Sequence, residues 1–147
     1  MLQSMKRELT KKPFLILALP LLALAACQTG APSSAVSINT KQEPRSMVVS
    51  LAKNAQTCWF KSNDNAFKSF RLAAEVNSHA GRPRFLLVPK NNPGGLPSLV
   101  VQAEAKGDTA SGKFTNIQTF GPLLSSSDGQ RIATDIKRWT TGNKSCA

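Results

Sequence analysis

Six residues in this chain are the candidates for chemistry by type and position: Cys27, Cys58, Cys146, His79, Glu75 and Glu104. A thiol can act as a nucleophile, a metal ligand, half of a disulfide or a point of acylation. Two carboxylates brought close together can divide general acid and general base work. Glu75 and Glu104 fall on the polar side of two alternating segments, where solvated surface charge is the plainer reading. His79 sits among turn formers in "SHAGRP" and reads as a solvated loop residue. The chain has no Gly-x-Ser-x-Gly elbow, no His-Glu-x-x-His and no phosphate-cradling glycine loop with its lysine. Metal-ligand spacing is also missing. A non-enzymatic protein without cofactor or metal is expected.

Cys27 is set apart by what precedes it. Lys6, Arg7, Lys11 and Lys12 lead into an uncharged run, 13–26, that ends in small residues. A basic region, a short apolar region and small residues make up the layout of an export signal. The run is too short for a spanning helix, which needs about 20 apolar residues, and Pro20 interrupts it. Met5 opens the basic region directly and is a second candidate start. Ala23-Leu24-Ala25 would suit cleavage near Ala26. Leu24-Ala25-Ala26-Cys27 instead resembles the lipobox of bacterial lipoproteins. That resemblance covers residues 5–28 and implies diacylglyceryl transfer to the Cys27 thiol, cleavage just before it, and acylation of the new amine by a fatty acid such as palmitate. Gln28, where inner-membrane lipoproteins commonly carry aspartate, implies the outer membrane, with the domain facing the periplasm. Two or more acyl chains hold stably where one holds marginally.

Removing residues 1–26 takes away four of the 19 cations and one of the 8 anions, which lowers the formal charge from +11 to +8. The sequence divides into the removed signal (1–26), the lipidated cysteine with a polar Gly/Pro/Ser tether (27–44), and one small domain (45–147). Met47, Val48, Leu51, Ala52, Ala55, Cys58 and Trp59 recur at helical spacing, with Ser46 as expected N-cap. Strand-like segments follow. Phe70, Leu72, Ala74 and Val76 alternate inward; "RFLLVPK" is short and apolar; Leu99, Val101, Ala103 and Ala105 alternate again; 114–120 is weaker. A closing helix carries Ile132, Ala133, Ile136 and Trp139 on one stripe. Ser127 and Gln130 are placed for a capping box, and Gly142 for a stop. The expected fold is α+β: an antiparallel meander of three or four strands with an N-terminal and a C-terminal helix packed on one face.

Lipidation of Cys27 leaves an even pair of cysteines. Cys58 ends the first helix and Cys146 follows the second, so helices on one face bring them together in an oxidising compartment. A Cys58–Cys146 disulfide is expected. "QTCWFKS" also resembles part of the periplasmic C-terminal domains of TolA-type proteins. Those end in a strand, whereas a helix is expected to end this chain, so no residues are carried over.

The remaining functional signal is charge. Lys61, Lys68 and Arg71 cluster near the first turn and strand, and Arg82, Arg84 and Lys90 flank the second strand. These six are the candidate residues for an anionic partner. The compartment excludes nucleic acid. The leading expectation is an outer-membrane-anchored, non-enzymatic accessory subunit for an envelope protein. The alternative is a module that binds an anionic envelope polymer or lipid, such as peptidoglycan or lipopolysaccharide.

Overall fold

The alternating segments of the sequence pair into one antiparallel sheet. The computed structural model describes residues 35–77, 82–108 and 112–146. In these, β1 (Val36–Thr40) precedes α1 (Pro44–Ala55), and β2 (Phe70–Glu75), β3 (Arg84–Pro89), β4 (Leu99–Lys106) and β5 (Phe114–Phe120) lead to α2 (Gly129–Thr140). The strand order is β1-β5-β4-β3-β2. Strands β2 to β5 form the expected meander. The fifth strand, β1, lies outside the expected count, and it closes the sheet by pairing Val36 with Thr119 and Ile38 with Ile117. Residues 36–44 therefore belong to the fold through β1 and the start of α1, and are not tether. Val36, Ile38 and Thr40 turn to the covered side of the sheet, while Ser37 and Asn39 turn to solvent.

α1 is capped by Glu43, not by Ser46. The Glu43 carboxylate accepts the Arg45 N–H at 2.9 Å and the Ser46 N–H at 2.8 Å, and Pro44 occupies the first turn. Those backbone bonds, Arg45 first, hold the Glu43 carboxyl below the ordinary carboxylate range. Beyond Ala55 the chain continues as a π-helical stretch, Gln56–Lys61, that buries Cys58 and Trp59, and Asn63 breaks the run at φ 58°. α2 starts from Asp128, and no side chain caps it, so the expected Ser127 box is not formed. Gly142 has φ 94°, as a helix stop requires.

Both helices cover one face of the sheet and share one core. Val48, Leu51 and Trp59 meet Ile132, Ile136 and Trp139 over Leu87, Leu99, Val101 and Ile117. Each large apolar side chain buried in this way contributes about 1.5–3 kcal/mol. Ala74 shares the register of the covered side yet is exposed, because β2 is an edge strand beyond the main helix cover. The Cys58–Cys146 disulfide is formed, with the Cα atoms 5.2 Å apart across a separation of 88 residues. Trp59 stacks on Phe67 at 4.7 Å and meets Trp139 at 5.0 Å beside this bridge.

Candidate anionic-partner site

The six cations picked from the sequence part into two groups. Register explains the division: Phe70 pairs with Pro89 and Glu75 with Arg84, so the start of β2 lies beside the end of β3, and the reverse. Arg82 and Arg84 lie at one end, where carboxylates take them up. Arg84 Nε donates to Glu75 at 2.6 Å, and Arg82 meets Glu104 at 3.3 Å. Lys106 also pairs with Glu104, at 3.0 Å. That hydrogen bond, assisted by the charges of Arg82 and Lys106, holds the Glu104 carboxyl below its ordinary range. β3 separates the strands that carry Glu75 and Glu104, and each glutamate is engaged with its own arginine.

At the other end Lys68, Arg71 and Lys90 come together. The Lys90 N–H bonds the Ser69 carbonyl at 2.9 Å. Lys68 and Lys90 line one depression of about 130 Å³ with Trp59, Phe60 and Phe67. Lys61 follows Phe60 on the π-helical stretch. Among the described residues none of Lys61, Lys68, Arg71 and Lys90 forms an ion pair. Asp64, which lines the same depression, is held by Arg131 at 2.6 Å, and Arg131 also reaches Asp128 at 3.2 Å. Burial opposes the Arg131 charge, but its bonds to Asp64 and Asp128 outweigh that and raise its pKa. Its guanidinium lies 5.1 Å from the Phe67 ring centroid. Asp64, the acid that lines the depression, is thus occupied by Arg131 and not by Lys68 or Lys90.

The sheet face away from the helices is mixed: Ala73, Leu86, Val88, Val100 and Phe120 share it with polar groups that bond one another. Gln102 bonds Gln118 at 2.7 Å, and Asn116 bonds Asn39 at 2.7 Å and Ser37 at 2.8 Å. Glu75, Gln102 and Glu104 lie on this face as expected, with Arg71 in the same register.

Sequence reasoning missed two features. Lys41 and Lys113 flank a groove of about 260 Å³ lined by Pro44, Ala105 and Phe114, at the end where Thr40 pairs with Thr115. Leu96 is 90 % exposed and Phe120 36 %. An apolar residue set between Gly95 and Pro97 within a run of turn formers was the available signal for Leu96. Cys27 and His79 lie outside the described residues. Among the described residues no helix is long and apolar enough to cross a membrane. No protein-family model, curated protein or solved structure matches this chain.

Proposed function

We propose that this chain is a non-enzymatic envelope lipoprotein, anchored in the outer membrane through Cys27, whose periplasmic domain binds an anionic envelope component through Lys61, Lys68, Arg71 and Lys90. The observation that carries the binding half is the arrangement of charge: Lys68, Arg71 and Lys90, from two separate sequence clusters, gather at one end of the sheet, with Lys61 following Phe60 of the same depression, and among the described residues none of the four is paired with a carboxylate. Arg82 and Arg84 leave the candidate set because Glu104 and Glu75 already neutralise them. The lipobox resemblance carries the anchoring half.

The test uses protein extracted from membranes after expression of the whole chain. Intact mass should show acyl chains on a chain that begins at Cys27. The protein should bind phosphatidylglycerol vesicles, lipopolysaccharide or peptidoglycan in low salt and release them as salt screens the exposed charges. A variant with all four cations changed to glutamine should lose that binding, and unchanged binding refutes the assignment.

A second reading is an accessory subunit for an envelope protein. It is favoured by the sheet face that the helices leave uncovered and by the two outer strands, β1 and β2, each paired on one side only among the described residues. Crosslinking in intact cells from positions on β2 would capture that partner.

A further inference from the structure

Leu96 is held outward by a loop that is itself well fixed. The Asn92 N–H bonds the Pro89 carbonyl at 3.3 Å, the Gly95 N–H bonds the Asn92 carbonyl at 3.0 Å, and the Ser98 N–H bonds the Leu87 carbonyl at 2.8 Å. Arg71 Nη2 reaches the Pro93 carbonyl at 3.4 Å. On the far side, the Leu123 N–H bonds the Ser98 carbonyl at 3.0 Å, so the loop base rests against the chain leaving β5. Gly121 makes this approach feasible: its φ is 132°, and a Cβ there would meet the Ser98 carbonyl oxygen at 2.5 Å. A loop tied down in this way displays one large aliphatic side chain, 90 % exposed, at the end of the sheet where β5 finishes with the partly exposed Phe120.

Three further facts choose the occupant. Lys90 opens this loop, Arg71 bonds it, and Lys68 shares a depression with Lys90, so the apolar tip has a cationic border. Val36, the first residue of β1, pairs with Thr119, next to Phe120, so the segment leading back to Cys27 joins the domain at this end. The groove flanked by Lys41 and Lys113 lies at the opposite end of β1. Eight residues separate Cys27 from Val36, and fully extended they reach about 30 Å. An apolar tip with a basic border is the pattern of a surface that rests on an anionic bilayer, with aliphatic groups at the acyl boundary and lysines among the phosphates.

We propose that the 93–97 loop docks the domain onto the anionic bilayer surface to which the chain is tethered. Leu96 enters the headgroup region, and Lys68, Arg71 and Lys90 meet lipid phosphates. This rests on the anchored reading above and names the partner of that same cationic end.

The test is tryptophan quenching in the whole protein, extracted from membranes and reconstituted into phosphatidylglycerol-containing vesicles with brominated acyl chains. Trp59 and Trp139 are 1 % and 2 % exposed and supply a constant background. L96W should be quenched and blue-shifted, whereas K113W, at the far end, should keep the emission of a water-exposed indole. Replacing the anionic lipid with phosphatidylcholine should cut the L96W quenching several-fold. If the protein floats with the vesicles and L96W is no more quenched than K113W, the docking proposal is wrong and the anchor stands. If the protein does not float at all, the anchor and the docking surface both fall. An L96W that stays unquenched, together with a photo-crosslink from position 96 to a protein in intact cells, gives the loop to a protein partner and also overturns the proposal.

Discussion

The indole Nε1 of Trp59 donates a 2.8 Å hydrogen bond to Asp135 Oδ2, joining the end of the first helical run to the middle of the last helix, 76 residues away. Asp135 is 1 % exposed, and its other oxygen is held by Arg138 one turn along. The carboxylate thus has a partner on each side, which is the condition under which a buried charge is tolerated. Trp59 adjoins Cys58, and Trp139 Nε1 bonds the Ser145 carbonyl at 3.1 Å, just ahead of Cys146. The polar contact and the disulfide therefore fasten the same seam.

Removing the Asp135 carboxylate leaves the Trp59 N–H unsatisfied and Arg138 without its anion. D135A should lower unfolding free energy by about 3 kcal/mol. D135N keeps an acceptor for the indole and should lose less. Urea denaturation of both variants measures the difference, and equal stability of D135A and wild type would show that this bond contributes nothing.

Reduction should cost the domain much of its stability. For a loop closed over 88 residues, the chain-entropy account assigns the Cys58–Cys146 bridge about 4–5 kcal/mol. The urea midpoint should drop accordingly in reductant. A C58S/C146S variant should behave like the reduced protein, and reductant should have no further effect on it.

Thr119 is buried on the covered side of β5, yet its hydroxyl makes no hydrogen bond to any described residue. Valine has the same shape without the polar atom and suits a strand. T119V should raise stability by about 1 kcal/mol, read as a higher thermal midpoint. A fall would mean that the hydroxyl has a partner.

Acid should remove stabilisation carried by Glu43 and Glu104. Both carboxyls are held below their ordinary range in the folded state, by backbone donors in one case and by Lys106 with Arg82 in the other. A lowered folded pKa gives stability that is complete above the unfolded value, about 4.3 for glutamate. That stability is lost as pH falls through the folded value. E43Q and E104Q should each be less stable than wild type at neutral pH, and the gap should close as pH falls below the ordinary glutamate value. Urea midpoints across that range provide the check, and a gap that stays constant with pH would remove the electrostatic cause.

Much of the α+β frame was legible from local pattern. Period-2 alternation marked β2 and β4, short apolar or mixed runs between turn formers marked β3 and β5, and spacings of three and four marked both helices and their inward residues, because each element has one apolar side that must be buried. Helix ends that share a face also sufficed to pair Cys58 with Cys146. β1 was hidden because Val-Ser-Ile-Asn-Thr offers only two large apolar residues, and its partner β5 lies far along the chain. Glu43 was overlooked as a cap in favour of Ser46, and Asp135 as a buried charge, since burial depends on Trp59 and Arg138 arriving from elsewhere. The cationic residues could be named from sequence but not sorted. Tertiary structure sorted them by placing Glu75 and Glu104 beside Arg84 and Arg82 while Arg131 took up Asp64. It also set Leu96 at the end of the sheet where β1 begins. Periodicity reports which side of an element is apolar. Which charges remain unpaired, and which apolar groups remain in water, is decided only when distant strands come into register.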